Sequence, residues 1–133
     1  MIYVDTGPLI ARSLTRDQFH ESARDAWGRL THSAERLLTS NLVLAETINY
    51  VASRAGPRFA AERGQRLLES SVLTILRPDA QDEAQAMLLL TKLADQHVSF
   101  TDCVSFALMK RHRLRRAFTF DRHFAAAGFQ IWP

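Results

Sequence analysis

The stretch 98-VSFTDCVSFALMKRHRLRRAFTFDRHF-124 places two acidic residues at the ends of predicted elements. Asp102 comes just before an apolar run that is typical of a helix, and Asp121 comes directly after the β-like run Ala117–Phe120. One interpretation is local: each Asp caps a neighbouring helix, because Asp is favoured at positions where helices begin. The other is that both carboxylates meet acids from elsewhere in the chain and hold a metal ion.

Short β-like runs alternate with helical patterns through the rest of the chain. The predicted strands are Ile2–Val4, Arg36–Ser40, Val72–Leu76, Ala117–Phe120 and Phe129–Trp132. Helices are predicted near Pro8, over 17–30, from a cap at Asn41 to Gly56, over about 57–70, from Pro78-Asp79, and from Thr101 or Asp102 to about residue 112. This alternation predicts one α/β domain over residues 1–133, a three-layer sandwich with a central short-stranded parallel sheet flanked by helices.

The composition favours a folded protein of the cytoplasm. Of the 133 residues, 47% are hydrophobic, which is enough for one domain with a real core. Cys103 is the only cysteine, so an internal disulfide and a cysteine-based zinc site are excluded. The N-terminus lacks the basic segment of a signal peptide, and no apolar run approaches the roughly 18 residues of a membrane helix. We therefore expect no membrane association and a cytoplasmic location.

The charge distribution favours a polyanionic partner. The formal net charge is +3, and 15 of the 17 basic residues are Arg. Arginine forms bidentate contacts with phosphate and stacks on bases, which is typical of nucleic-acid-binding proteins, although a GC-rich genome also raises the arginine content. The densest basic segment is Lys110–Arg116. We expect Arg111, Arg113, Arg115 and Arg116 to include nucleic-acid phosphate contacts beside the acidic residues, although cations also stabilise a helix C-terminus.

Four acids occupy comparable positions if the sheet is parallel. Asp5 and Asp121 directly follow strands, Asp102 begins a helix, and Glu46 lies about one turn into the helix after the second strand. Each acid alone could be a helix cap, a turn residue or a solvated side chain. Because ligands gather at the carboxyl ends of parallel strands, one functional cluster explains all four positions together.

A cluster of carboxylates needs a cation, because nearby like charges raise one another's pKa. Ligand sets made only of oxygen favour Mg²⁺ or Mn²⁺. Such an ion can activate water and stabilise the leaving oxygen in phosphodiester hydrolysis. Asp5, Glu46, Asp102 and Asp121 are therefore the candidate catalytic and metal-binding residues. Thr6 and Thr101 adjoin two of them, and we expect these hydroxyls to bind water or phosphate oxygen or to cap helices.

Four segments in order resemble the acidic motifs of PIN domains. They are YVDTGPL with Asp5, NLVLAET with Glu46, FTDCVSFALMKRHRL with Asp102, and AFTFDRHFAAAGF with Asp121. The chain is most similar to the toxins of VapBC-type toxin–antitoxin pairs. The resemblance implies a Mg²⁺- or Mn²⁺-dependent endoribonuclease with a five-stranded parallel sheet, a homodimer, and a small antitoxin that occludes the site.

Two departures from the family pattern and two other functions stay open. Cys103 replaces a common alanine, and Arg122-His123 stand where many relatives carry a further carboxylate, which leaves the number of metal ions undecided. One alternative is a catalytically silent PIN-like module that binds RNA or protein. The other is a metal-dependent small-molecule phosphatase, but Gly7 stands where such an enzyme often carries a second Asp.

Overall fold

The computed structural model describes residues 1–133 and contains a five-stranded sheet in which neighbouring strands are parallel. The strands are β1 (Ile2–Val4), β2 (Leu37–Ser40), β3 (Leu73–Leu76), β4 (Arg116–Phe118) and β5 (Gln130–Trp132). The helices are α1 (Thr6–Ser13), α2 (His20–Thr31), α3 (Asn41–Ala55), α4 (Pro57–Leu68), α5 (Ala80–Lys92), α6 (Phe100–Arg111) and α7 (His123–Ala126), with a 3₁₀ turn at Ala94–Gln96.

The strand order β3-β2-β1-β4-β5 places a topological switch point beside the first strand. The chain moves outward from β1 through β2 to β3, and then returns to the other side of β1 with β4. The connections that leave β1 and β4 therefore diverge, and a crevice opens at the carboxyl ends of these two strands. Asp5 follows β1 and Asp121 follows β4 at this crevice.

The helices form two groups that cover the sheet. Helix α1 packs against α2 and α3, α3 packs against α4, and α5 packs against α6. Since parallel crossovers are right-handed, the two groups lie on opposite faces of the sheet. The predicted three-layer α/β fold is confirmed.

The core lies around β1 and α6 and sets the position of the third acid. All three residues of β1 are fully buried, as expected for a central strand covered on both faces. In α6, every residue from 103 to 109 is buried, so this helix is enclosed on all sides. The buried Tyr3 and Ser105 hydroxyls lie 2.8 Å apart and join β1 to α6, which fixes Asp102 relative to Asp5.

Two predicted helix caps are wrong. The cap of α3 is Ser40, whose side chain accepts a hydrogen bond from the Val43 backbone N–H, whereas the Asn41 side-chain oxygen is buried without a partner. The cap of α6 is Ser99, so neither Thr101 nor Asp102 begins this helix. A hydroxyl directly before the first helical turn reaches the free N–H groups, which explains both choices.

Strand β1 has the predicted bounds, and the other strand and helix ends differ from the prediction by at most three residues. The largest strand difference is at β4, which covers 116–118 instead of 117–120. The short helix α7 and the 3₁₀ turn were not predicted. None of the helices combines the length and apolar character that crossing a membrane requires.

Candidate active site

Asp5 is the most buried acid of the site. It occupies the cap position of α1, but its side chain makes no capping hydrogen bond. Instead, one carboxylate oxygen accepts a hydrogen bond of 2.7 Å from the Thr119 hydroxyl. Only 6% of Asp5 is exposed. Burial, with additional repulsion from Asp102 and Asp121, raises the pKa of Asp5 to about 7.

Asp121 is fixed by contacts on both sides along the chain. Its backbone N–H donates to the Thr119 hydroxyl oxygen over 3.0 Å, so Thr119 connects Asp121 to Asp5. One Asp121 carboxylate oxygen, Oδ1, accepts a hydrogen bond from the His123 backbone N–H at 2.9 Å and also lies 2.7 Å from His123 Nδ1. Thr119 and His123 therefore orient the fourth acid, and neither was among the predicted site residues.

Asp102 belongs both to the capping box that Ser99 begins and to the acidic site. Its Oδ2 accepts from the Ser99 backbone N–H at 2.9 Å, and its own backbone N–H donates to Ser99 Oγ at 3.0 Å. This reciprocal capping box uses one carboxylate oxygen and leaves the other available. Burial, together with the charges of Asp121 and Glu46, raises the pKa of Asp102. The local and functional interpretations are thus compatible at this residue.

Glu46 reaches the site from α3 and is held by a threonine of α1. The Thr6 hydroxyl donates to Glu46 Oε2 over 3.0 Å. Glu46 is exposed, in contrast to Asp5. Because Thr6 immediately follows Asp5, this contact ties the second acidic motif to the first.

The four predicted acids line one cleft of about 530 Å³. The other lining residues are Thr6, Gly7, Ile10, Ser99 and Phe120. Thr101 does not line the cleft. Adjacent side chains of a helix point in different directions, and the side chain of Asp102 is the one that faces the cleft. The structure thus brings together Asp5, Glu46, Asp102, Asp121 and Thr6, and it leaves out Thr101. Ser99 contributes where Thr101 was expected.

The cleft suits a hydrated hard cation better than an ion enclosed by protein. No three His, Cys, Asp or Glu side chains form a ready cage for a metal ion. Mg²⁺ does not require one, since it keeps several waters and takes only one or two carboxylates directly. The donor set is all oxygen, and burial, with added repulsion from the neighbouring acids, raises the pKa values of Asp5 and Asp102, so a cation would favour their charged forms. Asp5, Asp102, Asp121 and Glu46 therefore fit Mg²⁺ or Mn²⁺ partly through water.

The basic segment does not lie beside the acids, and this expectation is wrong. Arg111 ends α6, a helix of 12 residues that extends about 18 Å from the acidic end. Arg116 begins β4, so it lies at the amino end of the sheet, opposite Asp121. Arg111 pairs with Asp79 at 2.8 Å and with Asp82 at 3.0 Å, and Arg116 pairs with Glu35.

Arg113 and Arg115 of the same segment are exposed and form no ion pair. RNA contact by the four arginines Arg111, Arg113, Arg115 and Arg116 stays a prediction.

The protein-family comparison decides the family. The family model described as PIN domain matches residues 2–130. The chain belongs to the PIN-domain family. PIN-domain nucleases generally use divalent metal ions, and the acidic cleft is where this PIN domain offers ligands for one.

Two curated relatives of this PIN domain are named as enzymes that cut RNA. The 23S rRNA-specific endonuclease VapC20 of Mycobacterium tuberculosis is 34% identical over 129 residues, which cover 97% of this chain and 95% of the relative. Ribonuclease VapC26 of the same species is 30% identical over 124 residues, covering 92% and 89%. The predicted ribonuclease class is confirmed by these relatives, which do not support the phosphatase or silent-module alternatives.

Solved structures agree with the assignment of this PIN domain. The crystal structure of M. tuberculosis VapC20, titled as a sarcin–ricin loop cleaving toxin, superposes with a TM-score of 0.89 at 32% identity and covers 97% of this chain and 96% of that one. A chain of VapBC2 from Rickettsia felis, solved bound to a DNA fragment from their promoter, matches with a TM-score of 0.74 at 17% identity and covers 99% of this chain and 98% of that one. The second match supports the fold alone.

Proposed function

We propose that this protein is a Mg²⁺- or Mn²⁺-dependent endoribonuclease and the toxin of a type II toxin–antitoxin pair. The observation that carries the proposal is the convergence of four carboxylates, one of them nearly fully buried, on one cleft at the sheet switch point. No basic side chain lines this cleft to neutralise them. A bound divalent cation would therefore be the partner of these acids.

The proposed catalytic groups are Asp5, Glu46, Asp102 and Asp121. When bound there, a divalent cation would stabilise the negative charge that develops on the phosphodiester. Asp5 and Asp102 would hold the cation or its waters, and Thr119, Ser99 and His123 would keep the carboxylates in position. One of the four carboxylates would take the proton from the attacking water as the bond to the leaving ribose oxygen breaks.

The resemblance to VapC20 guides the choice of substrate. Its name specifies 23S rRNA, and its structure is titled for the sarcin–ricin loop. Because this chain is 34% identical to VapC20 over nearly its whole length, we propose structured ribosomal RNA as the substrate class. We further propose that residues 1–133 act as one domain, as a homodimer in the cytoplasm, under control of a small antitoxin.

A cleavage assay tests the proposal. The purified protein is incubated with 23S rRNA, with transfer RNA and with a small phosphate ester, in Mg²⁺, in Mn²⁺ or in excess chelator. We expect site-specific cleavage of RNA that requires the metal and no hydrolysis of the ester. Ester hydrolysis without RNA cleavage would establish the phosphatase instead, and RNA binding without cleavage would establish a silent module. Light scattering of the protein alone tests the homodimer.

A further inference from the structure

A cationic pocket lies away from the acidic cleft, where α1, α2 and α4 meet. Its volume is about 140 Å³. Arg12 enters it from the last turn of α1, and Arg63 and Arg66 enter it from α4. Trp27 and Ser70 also line the pocket.

The three arginines have no anionic partner within the protein. No acidic residue lines the pocket, and none of the three forms an ion pair with a carboxylate. Arg111 and Arg116, by contrast, are both paired with acids. Three neighbouring cations repel one another, so an anion bound between them would lower the energy of the site.

Arg12 is held in place before any ligand arrives. Its guanidinium carbon lies 4.3 Å from the centre of the Trp27 ring, which is a cation–π contact. Partial burial, with the nearby charge of Arg63, lowers the pKa of Arg12. A guanidinium that is fixed and partly dehydrated binds an anion with a smaller loss of side-chain freedom than a mobile surface arginine.

Ser70 adds a neutral donor to the pocket. Its hydroxyl oxygen accepts a hydrogen bond from the Val72 backbone N–H at 3.3 Å, but its own proton is donated to no protein group. The pocket volume equals the space of about four or five waters of the liquid, which is enough for a phosphate group. Several arginine forks and a hydroxyl donor together match the many acceptor oxygens of phosphate.

Helix α1 connects this pocket to the acidic cleft. Thr6, Gly7 and Ile10 of α1 line the cleft, and Arg12 of the same helix lines the pocket. The eight residues of α1 extend about 12 Å. A nucleic-acid strand that leaves the cleft along α1 would therefore reach the pocket within a few nucleotides.

We propose that the Arg12–Arg63–Arg66 pocket binds a backbone phosphate of the RNA substrate at a distance from the cleaved bond. This inference rests on the ribonuclease function proposed above and specifies how the substrate is held. Because phosphate contacts position a strand without reading its bases, the pocket adds affinity and register but no sequence preference.

The test measures RNA binding over a range of salt concentrations. Arg12, Arg63 and Arg66 are replaced singly by Gln in an Asp102→Asn background, and a fluorescently labelled single-stranded RNA is titrated. Each replacement should weaken binding about tenfold and lower the magnitude of the salt slope by about 0.7. Arg24→Gln on α2 is the matched control, because it removes one exposed positive charge outside the pocket.

Two further measurements keep the result interpretable. Arg12→Gln also removes the contact with Trp27, and Arg63→Gln removes a cation–π contact with Phe59. Arg66→Gln leaves both contacts intact and therefore separates a folding defect from lost binding. Thermal melting of each variant without RNA checks the fold. With the other residues unchanged, Arg63→Gln should raise KM for RNA cleavage and leave kcat within twofold.

The outcomes separate this inference from the proposed function. If the wild-type chain cuts RNA but all three variants behave like Arg24→Gln, the pocket inference is overturned and the ribonuclease function stands. If inorganic phosphate stabilises the wild type but not Arg63→Gln, while RNA affinity is unchanged, the pocket binds a free anion and the RNA assignment is wrong. If the wild-type chain neither binds nor cuts RNA, the proposed function fails together with the inference.

Discussion

Thr119 donates a 2.7 Å hydrogen bond to Asp5 across 114 positions of sequence. The same hydroxyl oxygen accepts from the Asp121 backbone N–H at 3.0 Å. One side chain directly after β4 thus fixes the acid that follows β1 and the second acid of the crevice, Asp121. Hydrogen bonds through Thr119 therefore connect the two sides of the crevice at the switch point of the sheet.

Replacement of Thr119 should reduce cleavage without removing any catalytic carboxylate. Thr119→Val keeps the shape of the side chain but loses the donor to Asp5 and the acceptor for Asp121. Groups that orient metal ligands typically contribute 10- to 100-fold to activity, so we expect a loss of about this size. Thr119→Ser keeps the hydroxyl and should retain most activity. Equal rates for Thr119→Val and the wild type would show that this connection has no role in catalysis.

The stability of the metal-free protein should depend on pH through Asp5. Its folded-state pKa of about 7 lies above the unfolded value, so the folded protein holds a proton that the unfolded chain releases. The contribution of Asp5 to the free energy of unfolding is therefore fully present below about pH 4 and is lost as the pH rises to about 7.

Asp5→Asn cannot ionise and should remove this part of the decline. Thermal melting in chelator between pH 4 and 8 measures it. Asp95→Asn is the control, since Asp95 is an exposed carboxylate outside the cleft. The same decline in Asp5→Asn as in the wild type would place the titrating group elsewhere.

Two replacements of Asp102 should distinguish its role in the capping box from its role in catalysis. Asn keeps an oxygen that accepts from the Ser99 backbone N–H, whereas Ala does not. Both variants should lose cleavage, and Asp102→Ala should be less stable than Asp102→Asn by about 1 kcal/mol.

The matched control for Asp102 is Asp82, which occupies the same capping-box position in α5 but lies outside the cleft. Asp82→Asn should keep full cleavage activity. Loss of cleavage in Asp82→Asn would show that acid replacements in this protein act through the fold and not through the cleft.

Arg111 should contribute to the stability of the fold and not to RNA cleavage. Arg111→Gln removes two ion pairs and leaves the carboxylate of Asp82, which is only 4% exposed, without its cation. We expect a loss of about 1 kcal/mol in the free energy of unfolding and unchanged RNA cleavage at saturating substrate. Arg115→Gln, at an exposed position without an ion pair, should leave stability unchanged. A stable Arg111→Gln variant with weakened RNA binding would instead support the RNA contact predicted for this segment.

The fold and the four acids could be predicted because both follow from local patterns and one rule of parallel sheets. Alternating strands and helices predicted the layers, and the carboxyl-end rule predicted that Asp5 and Asp121 would meet. Thr119 was missed because its contact with Asp5 joins two strands that are distant in sequence. Inside the predicted strand Ala117–Phe120, nothing distinguished this threonine from an ordinary β-former.

The errors in the basic segment and the caps have equally physical causes. Nearness in sequence to Asp102 and Asp121 suggested that Arg111 and Arg116 lie near them, but α6 and β4 extend away from the cleft and return to it. The cap of α6 was placed two or three residues late, because Ser99, Thr101 and Asp102 are all favoured at that position. Only the three-dimensional structure shows which hydroxyl meets the free N–H groups.

Calorimetric titration of Mn²⁺ into the purified protein tests the central claim, a divalent-metal site shared by the acids, most directly. The wild-type chain should bind the ion and release protons near pH 7, because Asp5 is partly protonated there in the absence of metal. Asp5→Asn/Asp102→Asn should bind at least tenfold more weakly and release fewer protons, while the Asp95→Asn control should match the wild type. Equal Mn²⁺ affinity in the double variant and the wild type would contradict a metal site shared by these acids.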